Sequence, residues 1–184
     1  MRKKYIIALA CALTVLVLFA GCSKPADNSK AAELAERFLT VLYTSDAERY
    51  GEFKQSDIYN DPSYDPAALM PDQFSMYTDL YGGMCSGGCI VALINTSHGN
   101  MYLAVDEYAE KYGYEKIYPK SVTIDTSEKL DGGKSTAYDC TVKTCFEKDG
   151  KASEKPISVR VSVSHDDNLI VSFRPKDAVL LNPI

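Results

Sequence analysis

The chain has 184 residues, with 20 lysines and arginines against 25 acidic residues, two histidines, six cysteines and no tryptophan. Residues 1–21 hold three of the basic residues and none of the acidic ones, so the other 163 residues carry 17 positive against 25 negative charges, formally −8. That balance argues against a nucleic-acid partner or an anionic lipid surface bound through a general basic field, and the length suits one domain with a real core rather than two.

Arg2, Lys3 and Lys4 precede an uncharged apolar run over residues 5–20, which ends in Ala20 and Gly21 directly before Cys22. A charged start followed by an apolar stretch is the pattern of an export signal, and a run of about 16 residues falls short of the roughly 20 that a helix needs to cross a bilayer core. The tetrad Phe19, Ala20, Gly21 and Cys22, with Leu18 just upstream, resembles the lipobox of bacterial lipoprotein precursors, with Phe19 where leucine is usual. The resemblance implies that residues 1–21 are a signal peptide that is removed and that the Cys22 thiol is acylated. The protein would then sit lipid-anchored on the extracytoplasmic face of the cell membrane. Each buried methylene contributes about 0.8 kcal/mol and one chain holds only marginally, so the two or three chains on such a cysteine anchor firmly. An uncleaved anchor and plain secretion are the competing readings.

Residues 22–29 are polar, contain Pro25 and read as a tether, which leaves a single domain over residues 30–184. Over residues 30–43, Leu34, Phe38 and Leu42 fall at i, i+4 and i+8 with Ala35 and Leu39 beside them, the stripe of an amphipathic helix. Ser45, followed three residues later by Glu48, fits a capping box and opens a second helix to about residue 55. Asp65 and Pro66 open another helical region, restarted at Pro71 and ended by Gly82 and Gly83. Residues 89–94 fit helix or buried strand, because periodicity cannot separate so short an apolar run. A further helix over about residues 101–111 follows from Leu103, Tyr108 and Tyr112, with Gly113 closing it.

From residue 122 the period shortens to two. Val122, Ile124 and Thr126 alternate with polar neighbours, as do Tyr138, Cys140, Val142, Thr144 and Phe146. The same holds for Ile157, Val159, Val161 and Val163 and, after a turn at residues 166–168, for Leu169, Val171 and Phe173. An antiparallel meander with one apolar face, and helices upstream to cover it, gives an α+β domain with its helices on one side. The other face, with Thr123, Thr141, Lys143, Ser158, Arg160, Ser162, Ser172 and Arg174, is polar throughout, which weakens an obligate dimer through the sheet.

Helices first, then long antiparallel strands whose last two join at a tight polar turn and close on Phe173, Arg174 and Pro175: this order resembles the NTF2-like superfamily of cone-shaped α+β domains over roughly residues 30–175. The chain departs from it at residues 167–170, where many members carry a tryptophan. A cystatin-like α+β sheet is the alternative. The resemblance implies either a non-enzymatic binding or assembly module of the cell envelope, meeting an envelope protein partner, or an enzyme or small-ligand carrier with a pocket inside the cone. Ketosteroid isomerases, which set an Asp base and a Tyr donor there, are the pattern for the latter. A cone filled by side chains goes with the first, and a deep cavity holding a desolvated carboxylate beside a tyrosine with the second.

We expect the filled cone, with no catalytic residue, cofactor or metal. Tyr102, Tyr108, Tyr112, Tyr114 and Tyr118 read as packing residues with one wet end. Gly82, Gly83, Gly87 and Gly88 lack the strand-to-helix setting of a phosphate loop. His98 and His165 read as solvated loop residues and form no pair at metal spacing.

Cys11 leaves with the signal and Cys22 takes the lipid, so Cys85, Cys89, Cys140 and Cys145 remain in a compartment that permits disulfides. On one strand, Cys140 and Cys145 lie about 17 Å apart at roughly 3.4 Å per residue and point to opposite faces, beyond the limit of about 7 Å on Cα separation. Cys140, on the apolar face, is the expected partner of Cys85 or Cys89, and such a bridge would close a loop of about 50 residues and contribute roughly 4 kcal/mol. A local bridge between Cys85 and Cys89 is the rival. The spacings C-x3-C and C-x4-C suit neither a zinc knuckle nor a redox motif.

Overall fold

The computed structural model describes residues 30–55, 79, 81–94 and 104–176. Within them the 3.6-residue stripe becomes α1 (Lys30–Leu42), which buries Leu34, Phe38, Leu39 and Leu42 together with the small residues Ala31, Ala32 and Ala35. There follow α2 (Ala47–Gln55), α3 (Gly87–Ile94) and α4 (Ala104–Tyr112), then β1 (Lys116–Leu130), β2 (Ser135–Lys148), β3 (Lys151–Ser164) and β4 (Leu169–Pro175). The strands form one open antiparallel sheet in the order β1-β2-β3-β4. The architecture is therefore α+β, a helical part followed by a four-stranded meander. The signal segment, Cys22, the tether, most of the helical region expected between Asp65 and Gly82, His98 and Tyr102 lie outside the described residues. Among the described residues no helix is long and apolar enough to cross a membrane.

Local chemistry sets the helix ends. The cap of α2 falls one residue later than expected, on Asp46, whose Oδ1 accepts the Arg49 N–H at 3.0 Å. Ser45 is committed elsewhere: its N–H donates to the Ile117 carbonyl at 2.8 Å and its Oγ accepts the Ile117 N–H at 2.8 Å, so it pairs with β1 as a strand residue would. The short run at residues 89–94 is helical because Ser86 caps it, Oγ accepting the Cys89 N–H at 3.2 Å. Helix α4 closes at Gly113, which sits at φ +69°. There the Tyr114 N–H reaches the Ala109 carbonyl (2.8 Å) and the Gly113 N–H reaches Glu110 (3.2 Å), a Schellman closure. Tyr114 stacks back on Tyr108, with ring centroids 5.9 Å apart and 4° between planes.

The β2–β3 hairpin turns on Asp149 and Gly150, both at positive φ (+51° and +68°), the mirror-image turn whose twist matches its strands. Irregularities then correct the simple alternation. A register shift between Ile124 and Thr126 turns Thr126, expected on the apolar side, outward, where its hydroxyl donates to Asp139 Oδ2 at 2.9 Å. Another shift, opposite Ser162 and Val163, places Val171 as the extra residue of β4. Ile170 is consequently the buried residue, at 0 %, while Val171, expected inside, is 39 % exposed.

The inner face of the sheet meets the helices through Tyr138, Val142, Val159, Val161, Val163 and Ile170, packed against Phe38, Leu39 and Leu42 of α1. Phe38 makes edge contacts with Tyr81 (5.8 Å) and Phe173 (5.7 Å). Burying each such side chain contributes roughly 1.5–3 kcal/mol, which makes this layer the main source of stability.

Candidate functional site

The described part of the structure has a cleft of about 210 Å3 where α2 meets α4 and the start of β1, lined among others by Ser45, Tyr50, Lys54, Asp106, Glu110 and Tyr114. At its base Asp106 is 3 % exposed. Its Oδ1 accepts the Asp46 N–H at 2.6 Å and its Oδ2 accepts Arg49 at 3.0 Å. In a capping box the third helical residue would return to the cap's own N–H; here Asp106 takes that place from a different helix. Burial pushes the Asp106 carboxyl above the usual carboxylate range, and the Asp46 N–H and Arg49 draw it back only partly. Glu107 is raised too, by burial and then by Asp106 and Glu110.

The cleft thus holds a desolvated carboxylate beside Tyr50 and Tyr114, yet several of its polar groups are engaged by the chain. Both Asp106 oxygens have partners, and the Ser45 hydroxyl is tied to Ile117. Lys54 pairs with Glu110 and lies over the Tyr50 ring, 4.6 Å from its centroid. Such an arrangement orders α2 against α4; a nucleophile activated by a neighbouring base does not occur among the residues lining it. Asp106 and Arg49 were not singled out from the sequence. An acidic residue in the first turn of a helix ordinarily answers the helix dipole on the surface, so only its place on the flank of the Val105, Tyr108 and Ala109 face hinted at burial.

The outward face of the sheet is the largest polar surface the strands create. Glu154 bridges Lys120 and Lys143, and these two lysines hold its carboxyl far below the usual range, at about 2. Asp139 is held low by Lys176, Thr126 and Arg160, and Arg160 also reaches Glu128. The face is not polar throughout: Ala137 and Cys145 are buried on it at 1 % and 4 % exposure, under longer neighbours. The Tyr118 hydroxyl, in contact with Cys145, donates to Glu147 Oε1 at 2.8 Å.

All four described cysteines are buried free thiols. Cys140 and Cys145 occupy opposite faces of β2. Cys85 pairs with Ile170, Ile170 with Val163, and Val163 with Thr136. That register puts Cys85 three strand spacings across the sheet and four residues along it from Cys140, about 14 Å in each direction, and so out of bonding range. Cys140 instead lies near Asp125, Asp139, Glu36 and Lys176, its thiol pushed up to about 12 chiefly by burial. The Cys85 thiol is pushed far above its ordinary value by its neighbour Cys89 and by burial.

His165 is exposed, but both ring nitrogens are used. Nδ1 lies 2.8 Å from the Gly133 carbonyl and Nε2 2.9 Å from Thr136 Oγ1, which pins the β3–β4 turn to the β1–β2 turn. Among the described residues no group of histidine, cysteine and acidic side chains is arranged to hold a metal. Tyr108, Tyr112, Tyr114 and Phe146 pack as one aromatic cluster, with burial raising Tyr108 to about 12. No family profile, curated protein or solved structure matches the chain.

Proposed function

We propose that the protein is an exported lipoprotein, acylated at Cys22 and held on the extracytoplasmic face of a membrane, whose domain is a non-enzymatic binding or assembly module of the cell envelope. The anchor rests on Arg2, Lys3 and Lys4, the apolar run and the tetrad ending at Cys22. The module rests on one observation: the inner side of the sheet is occupied by its own core, Phe38, Leu39, Tyr138, Val159, Val161 and Phe173 among it. Function then falls to surfaces, and the charge-laddered outer face is the broadest. The order of helices and meander suits an NTF2-like cone of the filled kind, acting on an envelope protein without cofactor, metal or nucleic acid.

The cleft at Asp106 favours one other reading, a small-ligand carrier or enzyme, because a desolvated carboxylate lies there beside two tyrosines. Intact mass of protein taken from native membranes tests the anchor: a diacylated or triacylated chain starting at Cys22 is expected, and an unprocessed chain starting at Met1 removes the proposal. Native mass spectrometry separates module from carrier. A chain free of small-molecule adducts, crosslinked to an envelope protein through Lys120 or Lys143, supports the module; a stoichiometric small ligand released by Asp106→Asn replaces it with the carrier.

A further inference from the structure

Of the four described thiols, the fold sets Cys85 and Cys89 on either side of one capped turn, a placement fixed by backbone geometry. The Cys85 N–H donates to the Tyr81 carbonyl at 2.7 Å, closing the turn after that residue. Ser86 then caps α3, its Oγ accepting the Cys89 N–H at 3.2 Å, so Cys85 and Cys89 flank the cap on either side of one tight turn. Both residues are buried, at 3 % and 0 % exposure, and the Cys89 side chain is the first influence that raises the Cys85 thiol above its ordinary value. Residues 84–86 also cover the outer edge of β4 through two hydrogen bonds: the Ser86 N–H donates to Ile170 O at 2.8 Å and the Ile170 N–H to Met84 O at 2.7 Å. A bare strand edge is a template for unwanted pairing, so this strap has a protective place in the fold.

We propose that Cys85 and Cys89 form a structural disulfide that staples the edge-covering strap to the first turn of α3. Each sulfur gives up its proton, the pair gives up two electrons, and an S–S bond forms. A low-molecular-weight or protein disulfide is meanwhile reduced to two thiols through a mixed-disulfide intermediate. The supply of that oxidant in the cell rests on the extracytoplasmic reading above; the choice of partners does not. Buried thiols exchange slowly, so the bond forms before α3 docks on β4 and is afterwards out of reach of reductants. Cys140 and Cys145, separated by the thickness of the sheet and far from the strap, stay as thiols.

The test uses the full chain in detergent, reduced, refolded in a buffer of reduced and oxidised glutathione, then alkylated and mapped. A linkage between Cys85 and Cys89 is expected, retained in Cys140→Ser and lost in Cys85→Ser. A bridge to Cys140 or Cys145, or both thiols still open to alkylation, overturns the pairing. Amide exchange at Ser86 and Ile170 should be about tenfold slower in the oxidised chain than in the reduced one, and equal rates overturn the staple. Mapping protein from native membranes separates the two proposals: a reduced pair there, alongside the expected linkage in the redox buffer, sinks the extracytoplasmic location and leaves the pairing standing.

Discussion

The cleft beneath the helices and the outer face of the sheet both organise charge around a carboxylate, and they do so in opposite ways. Asp106 is withdrawn from water, satisfied by one backbone N–H and one arginine, and raised by burial. Glu154 stays wet between two lysines and is held at about 2. In the first place desolvation outweighs the partners, and in the second the partners prevail because little desolvation opposes them. The same ion-pair vocabulary therefore carries different energetic meaning: removing one half of a buried pair strands a charge, whereas exposed pairs contribute little at neutral pH.

Substitutions on the two sides of the sheet separate the buried from the exposed case. The largest effect is expected on the inner side from Phe38→Ala, which empties the space between Tyr81 and Phe173 and should cost about 3–5 kcal/mol in urea unfolding. Asp106→Ala should come next. Breaking a buried pair costs roughly 3–5 kcal/mol, and with Arg49 24 % exposed we expect about 2–3 kcal/mol. An unfolding free energy unchanged by this substitution would put Asp106 with the surface charges. Thr144→Val runs the other way: Thr144 Oγ1 is buried without a hydrogen-bond partner on the inner face, so the change should stabilise the protein by about 1 kcal/mol, seen as a higher melting temperature.

Glu154→Gln should have the smallest effect near neutral pH and show itself in acid. The folded value lies below the ordinary 4.5, so the stabilisation from Glu154 is present above that value and lost as the pH falls toward about 2. The substitution should flatten that part of the stability curve. Asp106 has the reverse sign: its folded pKa is raised, so its contribution improves as the pH falls through that value and weakens above it. A stability curve of Glu154→Gln that still fell as steeply between pH 4.5 and 2 would assign the acid sensitivity to other carboxylates, with Asp139 first among them.

Elements whose signals are local and repeated are legible in the amino-acid order. The apolar stripe of α1, the glycine that ends α4, the period-two strands and the polar turn before β4 all follow from side-chain spacing or from a residue that tolerates positive φ. The α+β order follows from those elements in sequence. Where pairing overrides spacing, the outcome depends on the folded chain. Single extra residues in β1 and β4 turned Thr126 outward and exchanged Val171 for Ile170 in the core, since one inserted residue flips every later side chain to the other face. Ser45 lost its cap because Ile117 claimed both its N–H and its hydroxyl, and Asp106 gained its role because α4 arrives beside the start of α2. The placement of Cys85 across one turn from Cys89 and away from Cys140 likewise depended on how residues 84–86 dock on β4. These contacts join residues distant in the chain or depend on how separate segments pack, and no local spacing encodes them.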